Sequence, residues 1–403
     1  MILANLVLRW SLLGFVLWNG RWYFGDAYSY LYYAGEVCSG QWGGEPGRPP
    51  LYLWFLCSLS PSIGRPGTAG QLFLPLLLQT TIVWAVGWWM SRRGKSGRRS
   101  ALFWLYDPVA LLYSTFAMTD ALFAVALLGY LWAFFRDLNK ETVFSNRLVG
   151  FCGAILALMR PNGIVILTAS TVLFFIRKGI SLLSLRRWLG AFAICMLLLA
   201  PRLYWNATHG SSWTIAVQGD GWLASVAGVV ASHGKNLDAH QAEEAWFAEK
   251  GPSPTREEAV KTLVSRWPVT TWLTMKGMAR VLLGHINMEW WYFFSGHTPV
   301  GPSWFKPPES RQDAPLSRVE LVVWVAGIAA LMAWALLFYR QVFLFLRVKV
   351  SKTSRLEQGW LLAMAALMTA LPLVYGEARF RLAVWPFLFM ILLRERHEAS
   401  AKS

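Results

Sequence analysis

The feature that most constrains the fold of this chain is a series of apolar runs, several of which approach or exceed the length that crosses a bilayer. A membrane-spanning helix needs about 20 mostly apolar residues. The chain has 403 residues, of which 55% are hydrophobic and 15% charged, and its 24 Trp and 24 Phe are far more than a soluble domain of this size usually carries. The sequence therefore predicts an all-α polytopic membrane protein.

Hydropathy predicts about ten membrane-spanning helices within one transmembrane domain, residues 1–403. The runs at 148–159 and 163–176 are short for complete spans, so we expect a hairpin that other helices shield from lipid. The predicted spans cover residues 4–22, 70–90, 101–117, 120–135, 148–159, 163–176, 188–204, 318–339, 358–376 and 381–394.

The net charge of +16 lies mostly in short loops between apolar runs: SRRGKSGRR (91–99), IRKGISLLSLRR (176–187) and RVKVSKTSR (347–355). Lys and Arg accumulate in the cytoplasmic loops of membrane proteins. A cytoplasmic N-terminus places all three loops inside, and it places residues 23–69 and 205–317 outside. We therefore expect membrane lipids, and not nucleic acid, as the partners of this charge.

Both outer segments carry a helical pattern of their own. In the first, RPPLYLWFLCSLSP predicts an interfacial helix that begins at Pro49 and Pro50 and ends near Pro61. The second, 205–317, is predicted to be helical and to face the aqueous phase.

The four cysteines show no metal or redox spacing, and at least two of them lie in apolar runs. We therefore expect no disulfide to organise the fold. Few cysteines and short basic loops favour a bacterial inner membrane, although an endoplasmic-reticulum membrane stays open. The cysteines are Cys38, Cys57, Cys152 and Cys195.

Ionisable residues at the outer ends of the spans are the candidates for chemistry, because such groups are costly near a membrane and mark functional sites. The topology places two acids, several arginines and a further acid on one face of the bilayer. They are Asp26, Arg48, Asp120, Arg160, Glu377, Arg379 and Arg381.

Each candidate also has a purely structural interpretation. Asp120 could cap a helix, Asp26 could be a solvated loop acid, and Arg160 could extend its side chain from a tight RPNG turn towards the interface. Glu377 and Arg379 could form a structural salt bridge. His209, His285 and His297 are too far apart for a dedicated zinc site, and no Gly-rich phosphate loop follows a strand.

Five short motifs follow one another along the chain, all on the predicted outer face. An acid precedes Tyr, Ala and Gly-x-Trp, a basic residue precedes Pro and Tyr, MTD opens a span, Arg and Gly flank a turn, and an acidic–basic–aromatic stretch precedes Pro. These motifs contain Asp26, Tyr30, Ala34, Gly40, Trp42, Arg48, Tyr52, Asp120, Arg160, Gly163, Glu377, Arg379, Phe380 and Pro386.

In this order the motifs resemble the membrane-embedded glycosyltransferases of the GT-C fold that use polyprenyl-phosphate sugars. That group includes protein O-mannosyltransferases and the aminoarabinose transferase of lipid A. The resemblance implies a GT-C-like bundle with extracytoplasmic juxtamembrane helices. It departs from the family at Ala27, where many members have a second acid.

The resemblance implies an inverting transfer of a sugar from a polyprenyl phosphate to an acceptor hydroxyl on the extracytoplasmic face. Asp26 would be the general base, and Arg48, Arg160 and Arg379, with Arg381 in reserve, would bind the donor phosphate.

Tyr30 and Glu377 would contact substrate. For Asp120 three roles stay open: orienting an arginine, binding the acceptor, or holding a divalent cation together with Asp26. Whether a metal takes part stays open as well, since some relatives use one and others do not. The acceptor would be a lipid, a glycan or a protein.

Two other functions are compatible with an outer charged face. A ligase or polymerase of lipid-linked glycans would share the arginines but would need no acid in the first loop. A lipid or sugar transporter would show related halves and charges near mid-span, and neither feature stands out in this sequence.

Overall fold

A computed structural model describes the chain at residues 1–22, 27–41, 48–63, 67–209, 213, 215, 218–235, 239–250, 256–283, 290, 293, 318–346, 352–373 and 378–394. These residues form helices and turns and contain no strand, which confirms the predicted all-α class. The helices are α1 Ile2–Trp18, α2 Ala27–Cys38, α3 Pro50–Leu59, α4 Ala69–Ser91, α5 Gly94–Leu105, α6 Pro108–Tyr113, α7 Asp120–Lys140, α8 Val143–Met159, α9 Asn162–Lys178, α10 Leu182–His209, α11 Gln218–Ala231, α12 Ala239–Lys250, α13 Arg256–Ser265, α14 Trp267–Leu283, α15 Arg318–Leu346, α16 Lys352–Ala370 and α17 Arg381–Arg394.

Several helices have the length and composition of membrane spans. Among the described residues, Ala69–Ser91, Asp120–Lys140, Leu182–His209 and Val325–Leu344 are long and apolar enough to cross a bilayer. Four shorter helices are apolar as well: α1, α3, α8 and most of α17. The chain is therefore a polytopic membrane protein.

Helix α7 lies at the centre of the bundle. It packs against α4, α6, α8, α9 and α17, and most of its side chains are buried. A long apolar helix that is buried on nearly all sides is expected in the interior of a bundle. This helix begins at Asp120, so the bundle is built around a helix that presents a candidate site residue.

The predicted span at 101–117 is wrong in one respect, because two short helices replace a single one. α5 ends at Leu105 and α6 begins at Pro108, with Asp107 accepting a hydrogen bond of 2.9 Å from the Ala110 N–H. The residue before a proline is disfavoured in helical conformation, and an Asp–Pro pair is a strong helix start.

Polar side chains from α1 satisfy the carbonyl groups that this break exposes. Asn5 Nδ2 and Arg9 Nη2 donate to the Leu105 carbonyl at 2.8 and 3.0 Å, and Arg9 Nη1 donates to the Ala110 carbonyl and to Ser114 Oγ. Arg9 is fully buried. The break is therefore a stable feature, since its free backbone groups have side-chain partners.

The hairpin predicted at 148–176 is present with longer arms. α8 and α9 each have 17 residues and meet at Arg160 and Pro161. α8 packs against α3, α7, α9 and α10, but Phe151 on α8 and Ile164 and Val172 on α9 are exposed, so other helices shield the hairpin only in part. Gly163 allows the close approach at the tip, because a Cβ there would lie 2.7 Å from the Leu156 backbone.

The expectation that no disulfide organises the fold is wrong. Cys38 at the end of α2 and Cys57 on α3 form a disulfide with a Cα–Cα distance of 5.5 Å. Helix packing brings the two cysteines together across a sequence separation of 19. The bond fixes α2 to α3, the two helices that follow Asp26 and Arg48 in sequence. Cys152 and Cys195 are free.

The two segments that the sequence predicts to lie outside the membrane also contain helices where the chain is described. α3 spans Pro50–Leu59, close to the predicted bounds, and Tyr52, Leu53 and Leu56 are fully buried; its position at the interface stays a prediction. In the second outer segment, α11 packs against α12 and α13, and α14 contacts α16. Helices of this outer segment therefore contact the bundle beside the candidate site.

Candidate functional site

Five of the predicted site residues belong to segments that meet at one end of the bundle. Tyr30 lies in the first turn of α2, and Arg48 precedes the prolines that start α3. Asp120 is the first residue of α7, Arg160 follows the last residue of α8, and Arg379 belongs to a 3₁₀ turn, Ala378–Phe380, before α17. Each of these five residues lies at or near the end of a helix.

Asp120 and Arg160 form an ion pair. Arg160 Nη1 donates to Asp120 Oδ1 at 2.8 Å, and the two side chains are 14% and 1% exposed. Burial strengthens the attraction, although it also adds a desolvation cost for both groups. Asp120 Oδ2 is buried and has no hydrogen-bond partner among the described residues. A buried carboxylate oxygen without a donor is uncommon and indicates room for a further ligand.

The turn before Asp120 is held by α4. Gln79 Nε2 donates to the carbonyls of Ser114 and Phe116 at 3.0 and 2.8 Å, and Thr80 Oγ1 donates to the Ser114 carbonyl at 2.8 Å. These bonds fix a stretch that is neither helix nor strand, and they thereby fix the start of α7. The position of the Asp120 carboxylate is therefore set by a helix that carries no predicted site residue.

Tyr30 connects Arg48 to the same turn. Its hydroxyl lies 3.0 Å from Thr119 Oγ1, and the Arg48 guanidinium lies 5.1 Å from the centre of its ring. Arg48 Nη2 also donates to Ser29 Oγ at 3.0 Å. A guanidinium stacked on an aromatic ring keeps its edge available for hydrogen bonds. The Tyr30 side chain therefore bridges Arg48 and the Thr119–Asp120 segment.

Phe380 connects Arg379 to Arg160. The two guanidiniums lie 5.2 and 5.8 Å from the centre of the Phe380 ring, and Arg160 is also 5.7 Å from the Phe123 ring. These are cation–π distances. The 3₁₀ turn before α17 therefore adds a second guanidinium beside the Asp120–Arg160 pair.

Arg381 lies apart from this group. It is fully buried and donates from Nη2 to Asp107 Oδ1 at 3.0 Å, and its guanidinium stacks on Trp385 at 5.1 Å. Asp107 is the residue that caps α6, so the pair joins α17 to the break between α5 and α6. Asp26, Glu377 and Trp42 lie outside the described residues; Ala27, which follows Asp26, begins α2 and is fully buried.

Arg202 is a polar residue of this region that we did not predict. It is fully buried in α10, donates from Nη2 to the Arg48 carbonyl at 2.5 Å, and donates from Nε to the Ile215 carbonyl at 3.1 Å. The sequence signal was an arginine after Pro201 inside an apolar run, and ionisable groups in spans are informative. Arg202 fixes the backbone from which the Arg48 side chain extends.

A large cavity begins beside Arg160. Its volume is about 680 Å³, and it lies between α7, α8, α9 and α10. Pro161, the next residue after Arg160, lines it, as do Ile164, Leu167 and Phe174 along α9. Its lining is mostly apolar, so its chemistry is compatible with a hydrocarbon chain. In the described part of the chain, no group of three His, Cys, Asp or Glu residues could hold a metal ion.

Comparison with known proteins gives one family match. Residues 47–205 match the model of a family described as dolichyl-phosphate-mannose-protein mannosyltransferase. The matched segment is less than half of the chain of 403 residues. It contains Arg48, Asp120, Arg160 and Arg202, together with the helices that line the cavity. The match supports a relation to that superfamily of membrane glycosyltransferases.

No curated protein and no solved structure matches the chain.

Proposed function

We propose that this protein is an inverting membrane glycosyltransferase that moves a sugar from a polyprenyl phosphate to an acceptor hydroxyl. The observation that carries the proposal is the position of the Asp120–Arg160 pair. A guanidinium with an ordered carboxylate partner lies directly beside a cavity that fits a hydrocarbon chain. This combination suits a ligand with a phosphate at one end and a long apolar tail at the other. The family match over residues 47–205 supports the same class of donor.

The arginines are assigned to the leaving group. When the bond between C1 of the sugar and the phosphate oxygen breaks, negative charge develops on the phosphate. Arg160 uses only Nη1 in a hydrogen bond to the described residues, so its other N–H groups are available to phosphate oxygens. Arg379, which stacks on the same Phe380 ring as Arg160, supplies a second positive charge. Arg48, which stacks on Tyr30, supplies a third. Positioned charge of this kind is worth about 3 kcal/mol of barrier per donor.

Asp120 is assigned the task of orienting Arg160. Its Oδ1 accepts from Arg160, so the guanidinium is fixed before the donor binds, which saves reorganisation during the reaction. Its Oδ2 is available to the sugar or the acceptor. Arg381 is assigned a structural role, because its charge is neutralised by Asp107 in the bundle interior.

Asp26 is assigned the role of general base. The acceptor hydroxyl attacks C1 from the face opposite the phosphate, its proton passes to the Asp26 carboxylate, and the configuration at C1 is inverted. Asp26 immediately precedes α2, whose Tyr30 contacts both Thr119 and Arg48. The proposed role requires the Asp26 carboxylate to face C1 from the side opposite the phosphate that Arg160 binds.

An extracytoplasmic location of the reaction is part of the proposal. The Cys38–Cys57 disulfide belongs to the first outer segment of the predicted topology. Structural disulfides form and persist in oxidising compartments and are rare in the cytosol. The disulfide therefore supports the side of the membrane that the basic loops predict for Arg48 and Tyr30.

The test is a transfer assay with protein reconstituted in nanodiscs, membrane extract as the source of acceptor, and radiolabelled sugars on a polyprenyl monophosphate, a polyprenyl diphosphate or a nucleotide. We expect consumption of the polyprenyl monophosphate donor alone, with one polyprenyl phosphate released for each sugar transferred. Release of polyprenyl diphosphate would instead identify a glycan ligase or polymerase. Use of the nucleotide sugar would contradict the proposed donor class.

A further inference from the structure

A repeated Trp-x-x-x-Arg spacing occurs at the ends of α4 and α7 and has no role in the proposed reaction. The four-residue separation brings each guanidinium over the indole that precedes it, within α7 for Trp132 and Arg136 and across the end of α4 for the other two pairs. The pairs are Trp88 with Arg92 at 4.6 Å, Trp89 with Arg93 at 4.5 Å, and Trp132 with Arg136 at 5.2 Å, measured to the ring centre.

Two of these pairs belong to one surface. The Trp89 and Trp132 rings meet edge to face, with their centres 6.3 Å apart, and this contact joins the end of α4 to the end of α7. Arg93 and Arg136 each stack on one member of the tryptophan pair. We call these four residues the Trp–Arg clamp.

The clamp lies at the end of the bundle opposite the candidate site. Arg136 follows Asp120 by 16 residues on α7, which is about 24 Å along a helix. That distance is close to the hydrocarbon thickness of a bilayer, about 30 Å. Tryptophan rings are enriched at the level of the lipid headgroups. The clamp is therefore at the height of a lipid phosphate in the leaflet opposite to Asp120.

The guanidiniums of the clamp have no acidic partner among the described residues. Arg136 Nε is buried and has no hydrogen-bond acceptor there. The nearest acids along α7 are engaged elsewhere: Asp137 pairs with Arg187 at 2.9 Å, and Glu141 pairs with Lys178 and Arg187. The Lys178 hydrogen bond lowers the pKa of Glu141 below its usual value. Both acids are therefore already paired with other cations.

We propose that the Trp–Arg clamp binds the phosphate of an anionic phospholipid. A guanidinium stacked on an indole still presents N–H groups in the plane of its fork, and that fork matches two phosphate oxygens. Basic pockets between membrane helices select anionic headgroups on this physical basis. Trp88, which is 42% exposed, extends the apolar surface that the acyl chains would contact. The bound lipid would join α4 to α7, the two helices that fix the position of Asp120.

The test measures lipid affinity by native mass spectrometry of the detergent-solubilised chain, with short-chain phosphatidylglycerol, phosphatidylcholine and inorganic phosphate as separate ligands. Arg93→Gln combined with Arg136→Gln should weaken phosphatidylglycerol binding roughly 10- to 30-fold, since each basic residue near a membrane surface is worth about 1 kcal/mol. The matched control, Arg98→Gln combined with Arg99→Gln, removes the same charge from the neighbouring α5 and should leave the affinity unchanged.

Three results would overturn the proposal. Equal losses in both double variants would mean that only diffuse charge attracts the lipid. Equal binding of phosphatidylglycerol and phosphatidylcholine would mean that the headgroup is not selected. Inorganic phosphate that binds as tightly as the lipid would identify a site for a free anion. If the Arg136 variant fails to fold, Arg93→Gln against Arg98→Gln, both at exposed positions, makes the same comparison.

Discussion

Arg160 at the end of α8 and Asp120 at the start of α7 form a 2.8 Å ion pair although 40 residues separate them in sequence. The pair connects three parts of the site. Asp120 follows the turn that hydrogen bonds from α4 and Tyr30 hold in place. The guanidiniums of Arg160 and Arg379 both contact the Phe380 ring. Pro161, adjacent to Arg160, lines the apolar cavity. A phosphate at this pair and a hydrocarbon chain in the cavity would therefore be parts of one ligand.

A double-mutant cycle on this pair should reveal strong coupling. Asp120→Asn and Arg160→Gln each leave a buried partner without its opposite charge, and breaking a buried pair costs about 3–5 kcal/mol. The double variant removes both charges, so its free energy of unfolding should lie at least about 1 kcal/mol above the value expected from adding the two single losses. Thermal unfolding in detergent measures the cycle. Simple additivity of the single losses would show that the pair contributes no coupling.

Asp26→Asn should reduce sugar transfer by about 10²- to 10⁴-fold, because an amide cannot accept the proton of the acceptor hydroxyl. The variant should still insert into the membrane and bind the donor, so kcat should fall more than KM rises. Glu36→Gln is the matched control, since it removes an acid ten residues further along the same predicted outer segment, near the end of α2. Near-normal turnover of the Asp26 variant would refute the assignment of the base.

Removal of the Cys38–Cys57 disulfide should destabilise the outer side of the site. A bond that closes a loop of this size contributes about 3 kcal/mol, chiefly by restricting the unfolded chain. Cys38→Ser, Cys57→Ser and the double variant should therefore lose the same amount, because each removes the same bond. Thermal unfolding checks the equality, and alkylation followed by mass spectrometry checks the bond. Two alkylated cysteines at positions 38 and 57 in the untreated protein would contradict the prediction.

The Arg381–Asp107 pair should affect stability and not catalysis. Arg381→Met alone leaves a carboxylate in the bundle interior and should cost about 3–5 kcal/mol. Combination with Asp107→Asn removes that charge and keeps a residue able to cap α6, so most of the stability should return. The double variant should then transfer sugar at a rate near wild type. A stable double variant that no longer binds the donor would show that Arg381 binds the donor phosphate, and it would contradict the structural role.

Apolar length and charge pattern were sufficient to predict the all-α membrane class, because the membrane imposes both on any chain that crosses it. The break at Asp107 was missed although it had a local signal, an acid followed by proline inside an apolar run. Hydropathy averages over a window and does not register one residue pair. The partners that satisfy the break, Asn5 and Arg9, come from another helix, and no local rule identifies them.

The candidate site was predictable in its residue types and less so in its pairing. Placement at span ends selected Asp120, Arg160 and Arg379, and the structure brings these three together. The same rule selected Arg381, which the packing of α17 directs to Asp107 instead. The Cys38–Cys57 bond could not be predicted, because pairing depends on how two helices pack and not on the spacing of the cysteines.

The most direct test of the account is the affinity of polyprenyl phosphate for the wild-type chain and for Arg160→Gln, with polyprenol as the uncharged ligand. The measurement needs neither the sugar nor the acceptor to be identified. The account predicts that the variant binds polyprenyl phosphate about 10- to 100-fold more weakly, as expected for lost charge-assisted hydrogen bonds. It also predicts equal polyprenol binding by both chains and unchanged binding by the control Arg98→Gln. Equal affinity of wild type and Arg160→Gln for polyprenyl phosphate would contradict it.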